Sequence, residues 1–244
     1  MIFVGAAPGN AGGMGKGILG AHGTRIPFGG DIAGANLDAL MGSIGLDRNH
    51  TFIIASLNQL PARGGGEPTS AELLAPVGAY PNSLCIVRDT MLAAGPTLVV
   101  ALGNVAMRAI LAAVTTPDKV PSLGAVQKTG AKRNHTIPLD EIADSGSRTA
   151  FRSQWDRGLP DLLWLTHPSA QNMSPFARPE TFFHTRMVEA INALRAAVLK
   201  IPGWRLPDVR PPHPKDGIYA LPEWRELIAA RHAELDALWR AKGV

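Results

Sequence analysis

Short apolar runs alternate along the chain with longer amphipathic stretches, in the order expected of a parallel sheet covered by helices. Strands are predicted at residues 1–4, 51–57, 97–102 and 162–165. Helices are predicted at residues 37–44, 81–94, 104–114 and 180–199. The pattern therefore predicts an α/β fold with three layers, α/β/α, around a central, mostly parallel sheet of four strands.

The C-terminal part departs from this alternation. Residues 201–221 are rich in proline, and residues 222–241 carry acidic and basic pairs at helical spacing. We therefore expect one domain over residues 1–199. Residues 200–244 would form a Pro-rich connector and a C-terminal helix that packs on this domain or extends from it.

The composition is that of a lightly charged globular protein. Of its 244 residues, 45% are hydrophobic and 18% are charged, and the net charge is +4 at pH 7. This charge permits a polyanionic partner without requiring one. No apolar run reaches the roughly 18–20 residues of a membrane span, and the first residues lack the basic segment of a secretory signal. We expect a cytoplasmic protein without membrane association.

The chain contains one cysteine, Cys85. A single thiol excludes an intramolecular disulfide and any metal site made of several thiolates. The seven histidines are scattered without the spacing of metal ligands. The sequence therefore predicts no metal site.

The loop after the last predicted strand offers the strongest candidate chemistry. Residues 166–172 read THPSAQN, which places His167 where a buried strand ends. Ligands of open α/β sheets usually bind at the carboxyl ends of the strands. A lone histidine at a strand end is nevertheless more often structural than catalytic. The interpretation of this loop therefore depends on the other loops.

The first loop is rich in glycine and nearly matches two nucleotide-binding motifs. A phosphate-binding Walker loop fails at Asn10 and Gly17. Residues 15–20 spell the dinucleotide pattern GxGxxG, but they lie about ten residues beyond the strand that should precede them. A flexible loop without a ligand is the alternative.

Two further loops carry groups that suit a planar ligand. Phe28, flanked by proline and glycine, can stack on a base, and Asp31 can orient a water molecule. Their alternative roles are anchoring the loop and capping the following helix. Ser56 and Asn58 follow the second predicted strand, where an amide can read a base edge or simply form a turn.

Taken in order, these segments resemble the uracil-DNA glycosylase superfamily. Residues 5–9, GAAPG, resemble its first motif, GxAPG. The PF and GD pairs at residues 27–31 are similar to the PF-x-GD segment of the bacterial family 5 enzymes. Residues 97–103 resemble the central hydrophobic strand that ends in Leu-Gly, and residues 167–172 resemble the family 5 motif HPSxQN. The resemblance covers residues 1–199.

The resemblance implies a monofunctional DNA glycosylase that removes uracil from DNA and leaves an abasic site in base excision repair. Its partner would be uracil-containing DNA and the abasic product, and it would act as a monomer. Hypoxanthine, xanthine and etheno bases are further candidate substrates. No lysine stands in the motifs as a Schiff-base nucleophile, which argues against strand cleavage.

The resemblance also implies roles for individual residues. Phe28 would stack on the flipped base, Ala6 would line its pocket, and Asn58 or Ser56 would read its edge. His167 would hydrogen-bond the base O2 and favour departure of the uracil anion. Contacts with DNA are expected from Gly9, Ser169, Gln171, Asn172 and Arg178.

Two departures from the family pattern qualify these expectations. Ala6 stands where family 4 enzymes carry a glutamate, so positioning of the water falls to Asp31 or Asn10. Families 4 and 5 hold a [4Fe–4S] cluster with four cysteines. Cys85 stands where one ligand is expected, and Leu60 stands near another. We therefore predict an enzyme without a cofactor and without an iron–sulfur cluster.

Two other functional classes remain open at this point. One is a non-catalytic module that binds damaged DNA or abasic sites on the same scaffold. The other is a nucleotide-binding α/β protein that uses residues 15–20.

Overall fold

A computed structural model describes residues 1–8, 28, 32–46, 51–59, 61–62, 67–115, 117–139, 159–169, 171–173 and 181–208. The predicted C-terminal helix at residues 222–241 lies outside the described residues. Within them, no helix has the length and apolar character needed to cross a membrane.

Five strands of the described chain form one sheet in the order β2-β1-β3-β5-β4. They are β1 Ile2–Gly5, β2 Phe52–Ala55, β3 Leu98–Leu102, β4 Thr136–Pro138 and β5 Asp161–Leu165. Neighbouring pairs among β1, β2, β3 and β5 are all parallel, which confirms the predicted mostly parallel sheet.

The predicted count of four strands is wrong, because β4 adds an antiparallel strand at one edge. Thr136 pairs with Leu163, and Pro138 pairs with Asp161. The sequence gives no sign of β4 because three residues are too few for an alternating pattern, and proline is tolerated only at a sheet edge.

The helices within the described ranges cover both faces of the sheet. They are α1 Ile32–Gly42, α2 Ser70–Leu74, α3 Ser83–Ala94, α4 Asn104–Val114, α5 Leu123–Lys128 and α6 Phe182–Val198. The four predicted helices correspond to α1, α3, α4 and α6. The other two are too short to show helical periodicity.

Alternate strand residues point to opposite faces, and each face has its own core. Ile2, Val99 and Leu162 pack in one core with residues of α3, α4 and α5. Phe3, Val100 and Leu163 pack in the other with residues of α1 and α6. This arrangement confirms the three-layer α/β/α fold.

The start of the predicted connector is attached to the second core. Trp204 packs against this core, and its Nε1–H donates to the carbonyl of Ile44 at 3.1 Å.

The carboxyl ends of the parallel strands gather the candidate loops at one edge of the sheet. These strands end at Gly5, Ala55, Leu102 and Leu165. Because β4 runs in the opposite direction, residues 132–135 precede it at this same edge. The Asn134 N–H accordingly donates to the carbonyl of Trp164 at 2.7 Å. We call this boundary of the sheet the carboxyl edge.

Candidate active site

Two rings from distant parts of the sequence lie next to each other at the carboxyl edge. The ring centroids of Phe28 and His167 are 5.8 Å apart, and the ring planes are tilted by 39°. Both side chains are partly exposed. The site therefore combines an aromatic face with an imidazole that can exchange hydrogen bonds.

Each ring is seated against a glycine at the end of a strand. A Cβ atom at Gly5 would lie 2.6 Å from Cε2 of Phe28. A Cβ atom at Gly103 would lie 2.9 Å from Cβ of His167. Real Cβ atoms do not approach this closely, so both approaches require the absence of a side chain.

The backbone of Phe28 is itself unusual. Its φ is 56°, in the left-handed region that bulky residues rarely adopt. Such a conformation costs on the order of 1–3 kcal/mol, and it is found mostly where function demands a particular side-chain direction.

A hydrogen bond within the loop helps to orient the His167 ring. The Ser169 N–H donates to Nδ1 at 3.2 Å. A ring nitrogen that accepts a hydrogen bond carries no proton, so the neutral imidazole carries its proton on Nε2. In this state His167 is a hydrogen-bond donor through Nε2.

Asn36 of α1 holds the loop that carries His167. This side chain is fully buried, and its Nδ2 donates to the carbonyls of Pro168 at 2.7 Å and Met173 at 3.3 Å. Both ends of the loop are thus tied to one amide. Asn36 was not predicted from the sequence, because it lies just before the predicted helix at residues 37–44, whereas α1 begins at Ile32.

The residues after His167 form a short hydrogen-bonded turn. Asn172 donates through Nδ2 to Oγ of Ser169 at 3.0 Å, and its Oδ1 accepts from Nη1 of Arg186 at 3.3 Å. Gln171 is exposed. The structure therefore brings three of the predicted DNA-contacting residues together beside the His167 ring.

The predicted base-reading residues occupy different environments. Ser56 is fully buried, and its hydroxyl donates to the Gly5 carbonyl at 2.7 Å. Asn58 is exposed. Ala6 is partly buried, and its carbonyl accepts from the Leu57 N–H at 3.0 Å. Ser56 thus supports the Gly5 backbone, whereas Asn58 is open to solvent.

Several predicted positions lie outside the described residues. These are the water-positioning candidates Asn10 and Asp31, the DNA-contacting candidates Gly9 and Arg178, and the nucleotide-binding pattern at residues 15–20.

The single cysteine does not fit an iron–sulfur cluster. Cys85 is buried in α3, and its N–H donates to Oδ1 of Asn82 at 3.0 Å. A [4Fe–4S] cluster needs four thiolates, and the chain has one cysteine. In the described part of the chain, no group of three or more His, Cys, Asp or Glu side chains is placed to hold a metal ion.

Comparison with known proteins agrees with the resemblance seen in the motifs. The family model of the uracil DNA glycosylase superfamily matches residues 1–195, from β1 to within α6. No curated protein matches the chain. The matched segment contains Gly5, Phe28, Gly103 and His167, the residues whose contacts form the ring pair. The chain therefore belongs to the uracil DNA glycosylase superfamily, a family of DNA-repair glycosylases.

Proposed function

We propose that the protein is a monofunctional uracil-DNA glycosylase, which hydrolyses the N-glycosidic bond of uracil in DNA and leaves an abasic site. The observation that carries this proposal is the ring pair of Phe28 and His167 at the carboxyl edge. A flipped base needs an aromatic surface on which to stack and a donor aimed at its edge. The pair supplies both.

The reaction needs stabilisation of negative charge on the departing base. The bond between N1 and C1′ breaks, and its electron pair stays on the uracil, which leaves as an anion delocalised over O2 and O4. The oxygen of a water molecule bonds to C1′, and this water loses one proton to the Asp31 carboxylate or to solvent, while the departed uracil anion takes up one proton from solvent. The Nε2–H of His167 would donate to O2, where the charge develops, and so lower the barrier.

The water molecule would be positioned by Asp31 or Asn10. A carboxylate can orient the water and accept its proton, whereas an amide can only orient it. Because the sugar becomes oxocarbenium-like before water attacks, orientation contributes more than base strength. Asp31→Asn and Asn10→Ala address the question directly: the variant with the larger fall in excision rate identifies the positioning residue.

The decisive experiment follows base release from a labelled oligonucleotide. Single- and double-stranded DNA with one uracil is incubated with the protein, and half of each sample is then treated with alkali. We expect strand breaks only after alkali, since a monofunctional enzyme leaves the backbone intact. Oligonucleotides with hypoxanthine, xanthine or an etheno base test the range of substrates, and size-exclusion chromatography tests the proposed monomer.

Variants of the ring pair test the roles of the two side chains. His167→Ala should lower the excision rate roughly 10²- to 10³-fold, the usual effect of removing one donor to a developing anion. His167→Gln, which keeps an N–H donor, should retain more activity. Phe28→Ala should also lower excision, whereas Phe52→Ala should not, since this exposed ring begins β2 at the opposite edge of the sheet.

The remaining outcomes separate the alternative functions. Salt-dependent DNA binding without base release would support a non-catalytic damage-binding module. Thermal stabilisation by a nucleotide in the absence of DNA would support a nucleotide-binding protein. Normal excision by His167→Ala would contradict the proposed mechanism.

We propose further that the enzyme works without an iron–sulfur cluster, because Cys85 is its only cysteine. The purified protein should lack the broad visible absorption of such a centre and should contain no stoichiometric iron. Cys85→Ala should leave the excision rate unchanged, since the thiol is buried in α3. A coloured, iron-containing preparation would contradict this part of the proposal.

A further inference from the structure

Two arginines from different elements lie beside the His167 loop. Arg133 precedes β4 at the carboxyl edge, and Arg186 lies near the start of α6. Arg133 donates through Nη2 to Oδ1 of Asn104 at 2.8 Å, at the start of α4. Arg186 donates through Nη1 to Oδ1 of Asn172 at 3.3 Å, within the turn that follows His167. Both guanidiniums are thus directed by amide oxygens at this edge.

Each guanidinium also lies over an aromatic ring. Cζ of Arg133 is 5.6 Å from the centroid of the Trp164 ring, and Cζ of Arg186 is 3.6 Å from that of Phe182. Contact with a ring face restrains the guanidinium plane while leaving its N–H edge able to donate. The two groups are therefore held in position before any ligand arrives.

The local charge balance favours an anion. Among the described residues, neither arginine forms a salt bridge with a carboxylate. Burial and the positive charge of Arg133 lower the pKa of Arg186, while Glu189 raises it. The Glu189 carboxylate accepts a hydrogen bond from Nδ2 of Asn134 at 3.3 Å. Two neighbouring cations repel each other, and a bound anion would relieve this repulsion.

A phosphodiester fits these features better than an isolated carboxylate does. Guanidinium N–H groups match the oxygens of a phosphate, and two guanidiniums can contact one group or adjacent groups of a strand. The link from Arg186 through Asn172 to Ser169 joins this surface to the turn beside the ring pair. A strand that delivers a base to His167 would pass next to it.

We propose that Arg133 and Arg186 form a phosphate-binding site that holds the backbone of the DNA strand beside the His167 loop. This inference rests on the proposed function, because its ligand is the DNA substrate of that activity. The site contributes affinity that does not depend on sequence, since phosphates are the same at every nucleotide.

The test measures binding of a labelled single-stranded oligonucleotide without uracil over a range of salt concentrations. Each phosphate contact contributes about 0.7 to the slope of log affinity against log salt for a single strand. Arg133→Gln and Arg186→Gln should each lower this slope by about that amount and weaken binding roughly three- to tenfold at low salt. Lys200→Gln is the matched control, because Lys200 is exposed just beyond the far end of α6.

Lysine variants separate charge from packing. Arg133→Lys and Arg186→Lys keep the positive charge, so they should keep the salt slope while losing part of the affinity. If a lysine variant loses as much slope as the matching glutamine variant, the effect comes from altered packing and the proposal is wrong. Thermal unfolding of each variant identifies any that fail to fold. The salt slopes of the folded lysine and glutamine variants then show whether charge or packing is responsible.

The two proposals fail in different ways. Uracil excision by the wild type, with glutamine variants that bind like Lys200→Gln, would overturn the phosphate site and leave the proposed function intact. Wild-type binding that loses slope in both glutamine variants, without base release, would support the phosphate site and overturn the glycosylase function. A wild type that binds no DNA would overturn both.

Discussion

The two glycines that contact the rings of the active site approach different parts of their partner residues. Gly103 approaches the backbone side of its partner, since a Cβ atom there would lie 2.9 Å from Cβ and 3.6 Å from Cα of His167. Gly5 approaches the far end of its partner, at Cε2 and Cζ of Phe28. Gly103 also has φ 92° and ψ 179°, a conformation open almost only to glycine. Gly5 lies in the regular ladder of β1.

This difference indicates that the position of His167 is fixed more strictly than that of Phe28. Steric pressure on a Cβ atom can be relieved only by moving the backbone, whereas a ring can turn about its side-chain bonds. A hydrogen-bond donor also loses strength steeply when misaligned, while stacking tolerates small shifts. Gly103, whose contact leaves less room for movement, thus lies against His167, whose hydrogen bond requires the more exact geometry.

Among the residues that support the two rings, the largest effect is expected from Gly103→Ala, which tests the stricter contact. The new methyl group would push the His167 backbone, and misplacement by about 1 Å can cost roughly 10²-fold in rate. The strained backbone would also lower the free energy of unfolding by about 1–3 kcal/mol. Uracil excision rates and thermal unfolding measure the two effects.

Gly203→Ala is the control for backbone strain alone. Gly203 has φ 80°, and a Cβ atom there would meet nothing within 4 Å. This variant should lose stability while keeping its excision rate. Equal losses of excision in both variants would show that contact with His167 is not the cause.

The second-largest effect is expected from Asn36→Leu, which removes the amide that holds the His167 loop. The substitution leaves the Pro168 and Met173 carbonyls without the donor that joins them, at a cost of about 1–3 kcal/mol in stability. Turnover should fall roughly tenfold, equivalent to about 1.4 kcal/mol in the barrier, with a smaller change in KM. Steady-state kinetics on a uracil oligonucleotide measures the two constants separately.

Two variants define what the Asn36 amide contributes. Ser43→Ala removes another buried hydrogen bond next to α1, from the hydroxyl to the Leu40 carbonyl at 2.6 Å, and should leave turnover unchanged. Asn36→Asp keeps the shape, and its buried carboxyl, facing two carbonyl oxygens, would stay protonated and offer one O–H donor, so it should retain more turnover than Asn36→Leu. Wild-type turnover of Asn36→Leu would show that the hydrogen bonds do not position His167.

The residues around the site also show which features of the structure can be predicted from the sequence. The strands that end at Gly5 and Leu102 are continuous apolar runs, which predict their presence, and the helices that alternate with them predict their parallel direction. Phe28 and His167 were assigned to one base-binding site through motifs rather than periodicity, because nothing local links the two residues, and their ring contact was not predicted. Asn36 was missed because a hydrogen bond to a remote carbonyl has no local signature, and β4 was missed because three residues are too few to show an alternating pattern.

The positions of Arg133 and Arg186 also could not be predicted from the sequence. Basic residues outnumber acidic ones over residues 178–215, but the stacking of Arg186 on Phe182 depends on helical geometry. Arg133 reaches the carboxyl edge only because β4 pairs antiparallel with β5. The residues around Arg133 are of mixed charge and show no hydrophobic periodicity, so the sequence does not predict that Arg133 lies at the carboxyl edge.

The third effect, from Gly5→Ala, tests the more tolerant contact. The new Cβ atom would displace the Phe28 ring, but rotation of the ring relieves part of the clash. Excision should fall only about three- to tenfold, well below the loss in Gly103→Ala. In a Phe28→Ala background Gly5→Ala should have no further effect on excision, since the atoms that it would meet are gone. Additive losses in this double-mutant cycle would contradict the assigned contact.

The smallest effect is expected from Gly124→Ala, which has neither clash nor strain. Gly124 lies in α5, and a Cβ atom there would meet nothing within 4 Å. Alanine favours a helix over glycine by about 0.5–1 kcal/mol, so thermal unfolding should shift upward by roughly 1–4 °C with unchanged excision. The same glycine-to-alanine change would then have three outcomes, ordered by how closely each position approaches the ring pair. A fall in excision for Gly124→Ala would break this order, because a position at which the added Cβ atom meets nothing would then matter as much as the contacts that hold the rings.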